Sequence, residues 1–152
     1  MKPTAYQNTK VDYIRTQTRI DELLKKNGIV SKQHTYLEDK FELLFIKDLE
    51  IESKKIKVGV KVSIPNVNDK NRNQLYRALF YYLKAKFESL TFGFVEEYNE
   101  AFVKEFMPYL VTDKKGNTIS DYILPKLNKS LELVKSGERL FLIDNKEEYH
   151  GR

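Results

Sequence analysis

The sequence predicts an α+β fold in one domain: an N-terminal helix, a small antiparallel sheet of about three strands, then three helices and a short C-terminal strand. Two patterns and a length carry this expectation. The segment KIKVGVKVSIP alternates strictly, with Ile56, Val58, Val60, Val62 and Ile64 on one face of a strand and Lys57, Gly59, Lys61 and Ser63 on the other. The segment RNQLYRALFYYLKAKFESLTFG, residues 72–93, gathers Leu75, Tyr76, Leu79, Phe80, Leu83, Phe87 and Leu90 into an arc of roughly 140° at helical spacing. A chain of 152 residues is the size of one domain and buries a core without metal or disulfide help.

Taken in order, residues 1–10 read as a loose arm. Thr18 and Asp21 have the spacing of a capping pair, Ile20, Leu23 and Leu24 supply an apolar stripe, and Gly28 after Asn27 is a C-terminal stop, so the first helix is expected over about residues 12–27. FELLFI (41–46) is the partner of the alternating strand, joined to it through the polar hairpin connection DLEIESKK, and residues 31–37 add a weaker third strand. Because FELLFI is apolar on both faces, inward-pointing Phe41, Leu43 and Phe45 leave Leu44 and Ile46 outside, where a helix, the C-terminal segment or a second subunit would cover them. NVNDKN starts the long helix, which runs to Gly93. A second helix follows over about 95–107, and Thr118 or Ser120 caps a third that runs to about Lys135. GERLFLIDN is the last strand, and residues 145–152 form a polar, flexible end.

The absence of cysteine excludes disulfides, thiolate catalysis and cysteine-ligated zinc, and it fits a reducing compartment. His34 and His150 are too few for a histidine-rich metal site. No apolar run approaches the roughly 20 residues that span a bilayer, and MKPTAYQNTK lacks the apolar block of a signal peptide, so a cytoplasmic protein with no membrane association is expected. The net charge of +5 is unevenly spread. Between Ser53 and Lys86 nine basic residues face one acid, a local balance of +8, which bears on partners rather than on fold.

Within that block, Lys55, Lys57 and Lys61 on the hairpin and Arg72, Arg77 and Lys84 on the long helix are candidate phosphate contacts. Tyr81, outside the apolar arc and flanked by Arg77 and Lys84, is the candidate platform for stacking a base. Each has a plainer reading: lysines on a sheet face keep it soluble and block edge pairing, and a lone surface tyrosine is ordinary. Lys86 projects into the edge of the apolar arc and is read as a stem whose ammonium reaches water or a carboxylate.

Catalytic motifs are absent: there is no glycine-rich phosphate loop, no HExxH and no GxSxG. The one constellation that could hold magnesium is Glu52-Ser53-Lys54 with Asp39 or Glu42, in the manner of a metal-dependent nuclease. DKKGN at 113–117 reads as a turn. No catalytic residue, metal ligand or cofactor is assigned.

Several segments, in order, carry a resemblance: IDELLKKNGI, strands ending in SIP, YLKAKFESLTFGFV, MPYL and GNTISDYILP. Over residues 18–127 the chain resembles a group of small proteins encoded by tailed bacteriophages and prophages, with Ala85, Gly93, Pro108, Tyr109, Gly116 and Thr118 as matching landmarks. The resemblance implies a helix ending in glycine, a short sheet, a long helix and a Gly-x-Thr turn into the last helix. It also implies a viral setting, but no activity. The chain departs from the group at Tyr82, Lys84 and Lys86, where tryptophan and acidic or amide residues are usual, and in its C-terminal extension. The combined expectation is a non-enzymatic accessory protein that binds nucleic acid, single strands above all, through the basic hairpin and helix. The alternative is a protein-interaction module, a small homodimer joined through Leu44, Ile46 and the segment Leu140 to Asp144 that binds a host or viral protein and has no nucleic-acid activity.

Overall fold

A computed structural model describes residues 2–92 and 97–135. The element order is α1 (Tyr13–Lys26), β1 (Lys32–Leu37), β2 (Lys40–Ile51), β3 (Lys54–Ile64), α2 (Arg72–Ser89), α3 (Tyr98–Phe106), a single 3-10 turn (Met107–Tyr109) and α4 (Ile119–Lys135). The strands form one antiparallel sheet in the order β1-β2-β3, so the α+β expectation holds. The expected C-terminal strand, GERLFLIDN, lies outside the described residues.

Helix α1 begins at Asp12, whose Oδ1 accepts from the Ile14 amide at 2.8 Å. Thr18 and Asp21, read as a capping pair, are instead inside the helix: the Thr18 hydroxyl donates to the Ile14 carbonyl, and Asp21 faces His34 and Lys32. Asp12 wins because it stands before the first turn, where the amides lack helical partners. The stop is as read: Gly28 takes φ +78°, and the Lys47 ammonium donates to the Asn27 carbonyl at 2.8 Å. Thr16, Ile20 and Leu24 recur at helical spacing and are fully buried.

The hairpin is longer than its apolar pattern implies. Strands β2 and β3 pair from Phe41 opposite Ile64 to Ile51 opposite Lys54, and only Glu52 and Ser53 turn, at φ 51° and 64°. A two-residue turn with both φ positive normally takes Asn-Gly or Asp-Gly, which is why Glu-Ser did not announce it. Most of DLEIESKK is thus strand rather than connection.

One face of this sheet is the core. Phe41, Leu43, Phe45 and Leu49 of β2 meet Val60 and Val62 of β3, all buried. Over them α1 and α2 lie side by side, contributing Ile20, Leu24, Tyr76, Leu79, Leu83 and Phe87. The arc on α2 therefore does what its spacing predicts: Tyr76, Leu79, Leu83 and Phe87 are buried, with Leu75, Phe80 and Leu90 packed at its margin. Asn73 of α2 ties the two helices by accepting the Tyr13 amide at 2.8 Å. Helix α2 stops at Ser89, not at Gly93. There the Ser89 and Thr91 hydroxyls donate to the Lys86 and Glu88 carbonyls while the Leu90 and Thr91 amides close tighter three-residue turns. Helix α3 is capped by Glu97, whose carboxylate accepts from the amides of Asn99 and Glu100, and it adds Phe102 and Phe106 to the core.

Beyond α3 the chain returns to the free edge of β3. The Val111 amide donates to the Gly59 carbonyl at 2.8 Å, and Thr118 pairs back to Val111. A Cβ at Gly59 would sit 3.4 Å from the Val111 side chain, in ordinary packing contact with it. DKKGN is the turn it resembled, with Gly116 at φ +83° and Asp113 accepting from the amides of Lys115 and Asn117. Of the two caps expected for α4, Thr118 is the one used: its hydroxyl accepts from the Asp121 amide, and the Asp121 carboxylate accepts from the Thr118 amide at 2.9 Å.

These caps make an acid-side prediction. Backbone amides hold the carboxyls of Asp121 and Glu97 below their ordinary range, and the Asn117 side chain, seconded by its amide, does the same for Asp113. A carboxylate whose folded pKa is depressed contributes stability that is present above its unfolded value, roughly 4, and lost as pH falls through the folded one. Thermal midpoints should therefore be level above roughly pH 5 and decline below roughly pH 4. In Asp121→Asn the midpoint should be lower at neutral pH and the acid-side decline shallower. A decline of equal steepness in the variant would contradict this assignment.

Candidate nucleic-acid interface

Parity along the hairpin decides where its lysines go. Even-numbered residues of β3 face the helices, so Lys55, Lys57 and Lys61 project from the opposite, outer face. All three have acidic neighbours. Lys55 stands opposite Glu50, the Lys57 ammonium lies 3.0 Å from Asp48, and Lys61 lies beside the Gly116 turn in the field of Asp121. The outer face also carries Leu44, half-buried, and Ile46, 42% exposed, with Val111 seated over Ile46's cross-strand partner Gly59.

The helix residues lie on the other side of the molecule. Arg72, at the start of α2, is clamped: its guanidinium lies 5.0 Å from the Tyr13 ring and 5.3 Å from the Tyr36 ring, and it pairs with Asp69 at 3.0 Å. Its side chain is 29% exposed, and the arrangement ties α1, β1 and α2 together. Arg77, Tyr81 and Lys84 form an outward stripe with Gln74 and Glu88, at the three- and four-residue steps of one helical face. The Arg77 guanidinium packs over Tyr81 at 5.0 Å and donates through Nη2 to its hydroxyl at 3.1 Å, while Lys84 pairs loosely with Glu88 at 3.6 Å. The sheet separates this stripe from the hairpin lysines, and the two sets do not form one continuous ridge.

The stripe has a feature the sequence concealed. The N-terminal arm, expected to be loose, lies along α2: the Gln74 side-chain amide donates to the carbonyls of Pro3 and Ala5, both at 2.8 Å. This anchoring lays the Tyr6 ring on the Tyr81 ring, with centroids 5.3 Å apart and planes within 12°. Thr4, Tyr6, Gln7, Asn8 and Thr9 then form with Arg77 and Tyr81 a cleft of about 440 Å³, with no acid among the described residues that line it. Tyr6 is a single aromatic in a polar stretch, and nothing in local spacing relates it to Tyr81.

Lys86 was legible only as an anomaly. Its ammonium bonds both the backbone carbonyl (3.0 Å) and the carboxylate (3.2 Å) of Glu105, and it lies over the rings of Tyr82, Tyr109 and Phe106 at 4.8, 5.6 and 5.7 Å. The Tyr82 and Tyr109 hydroxyls share a hydrogen bond, and burial above all pushes the Tyr109 hydroxyl up to about 12. This box is a structural clamp between α2 and α3.

The carboxylates considered for magnesium are not assembled. Glu52 is at the hairpin tip, whereas Glu42 is near the other end of β2 and Asp39 just before it, roughly 30–40 Å away at strand rise. Among the described residues no cluster of three or more His, Asp or Glu side chains could hold a metal ion, and no helix is long and apolar enough to cross a membrane. His34 points inward, its Nε2 2.7 Å from Asp21 and its ring against Phe41. No known protein family, curated protein or solved structure matches the chain.

Proposed function

We propose that this protein binds single-stranded nucleic acid, without enzymatic activity, through the outward stripe of α2. The observation that carries this reading is that the face of Tyr81 takes a planar ring in parallel stacking, with one cation packed on the tyrosine and another a helical turn away. A base on that face would gain the sequence-tolerant stacking energy single-strand binders use. In this reading Arg77 and Lys84 meet the flanking phosphates. The Lys84 and Glu88 side chains are 47% and 57% exposed, an ion pair of the weak surface kind that a phosphate readily displaces. A viral setting for this binding is proposed on the sequence resemblance alone.

The salt dependence of binding tests the reading. Two neutralised phosphates on a single strand give a slope of log K against log salt near −1.4, so affinity should fall roughly sevenfold between about 50 and 200 mM salt. A fall of roughly a hundredfold would mean that about five cations engage and would bring Lys55, Lys57 and Lys61 into the interface. Tyr81→Ala should weaken binding by about 1–3 kcal/mol, roughly 5- to 150-fold. Absence of any mobility shift at low salt overturns the reading and leaves the outer sheet face around Ile46 as the surface to examine for a protein partner.

A further inference from the structure

The arm that covers Tyr81 is held by few contacts and carries two visible defects. Tyr6 sits at φ 59°, a left-handed conformation disfavoured for an aromatic residue. Arg77 lines the cleft together with the arm, and its Nη1 is buried with no hydrogen-bond partner among the described residues, although arginine donors are normally satisfied when removed from water. The contacts on the other side are the Tyr6 ring stack and the two Gln74 bonds to backbone carbonyls. What the arm supplies is a flat ring for Tyr81. What it fails to supply is an acceptor for Arg77.

A nucleotide carries both. We infer that the arm is an internal stand-in for single-stranded nucleic acid: on binding, Tyr6 leaves the Tyr81 face, a base takes its place, and the adjoining phosphate accepts from Nη1 of Arg77. The arm thereby lowers affinity for strands without blocking it, because ligand and arm compete for one surface and the observed constant is reduced by the covered fraction. This inference rests on the nucleic-acid reading above and adds to it which groups exchange.

The test is a titration of a fluorescein-labelled oligothymidylate of about 12 nucleotides, a single-strand site size, into the full chain. The variants are Tyr6→Ala, which removes the competing ring, and Gln74→Ala, which frees the arm without touching a ring. Both are exposed or half-exposed positions outside the buried core. Each should bind about two- to tenfold tighter than the wild-type chain, the range an aromatic pair supports, and Tyr81→Ala should abolish the gain. If the wild-type chain binds but either variant binds no tighter, the arm inference fails and the nucleic-acid reading stands. Weaker binding by Tyr6→Ala would make Tyr6 a contact of the strand and would equally overturn the inference. No binding by the wild-type chain or by either variant overturns both.

Discussion

Phe106→Ala is expected to lower the stability of the fold by about 3–5 kcal/mol, the cost of removing a fully buried aromatic ring and leaving a cavity. The residue has no exposed surface, and its ring meets Phe102 at 4.6 Å, Phe87 at 5.1 Å and Phe45 at 6.0 Å, so one side chain joins α3, α2 and β2. In a chain of 152 residues that loss corresponds to a thermal midpoint lower by roughly 10–15 °C. The comparison is Phe106→Leu, which keeps much of the volume and should cost under about 2 kcal/mol. Denaturant melts of both variants check this. Similar losses in the two would mean that the ring contacts, rather than filled space, hold α3 in place.

Lys86→Glu should cost about 2–4 kcal/mol, somewhat less than a fully buried pair because Glu105 keeps 33% of its side chain in water. The reversal places a carboxylate against Glu105 and against the electron-rich faces of three rings, so attraction becomes repulsion at each contact. Lys86→Met keeps the apolar stem, removes the charge and should cost only about 1 kcal/mol, since Glu105 can turn to solvent. The double exchange Lys86→Glu with Glu105→Lys separates the contributions. It restores opposite charges but leaves the new lysine outside the aromatic box, so it should recover less than half of the loss. Full recovery would assign the clamp to the ion pair alone.

How much of this was legible follows from the range of each interaction. Buried Val60 and Val62 announce their face because a strand alternates every residue. Buried Tyr76, Leu79, Leu83 and Phe87 announce theirs because a helix repeats every 3.6 residues. The Gly28 stop, the DKKGN turn and the Thr118 cap were readable because glycine and short polar side chains act on their own backbone within a few residues. Errors fell where two local signals competed. Asp12 took the cap that Thr18 and Asp21 resembled, and Glu52 and Ser53 turned where Asn-Gly would have been expected.

The sequence by itself thus determined the order of the described elements, the buried faces of α1, β2, β3 and α2, and the excess of positive charge from Ser53 to Lys86. Only the tertiary structure decided how that charge is divided. Lys55, Lys57 and Lys61 lie on one side of the sheet, while Arg77, Tyr81 and Lys84 stand on the outward side of a helix that covers the other. It also decided that Arg72 and Lys86 are clamps among aromatic rings and that Tyr6 lies on Tyr81. The physical reason is one of reach: periodicity places a side chain relative to its own element, whereas a stack between residues 6 and 81 exists only after β2 and β3 have paired and α2 has settled on their shared apolar face.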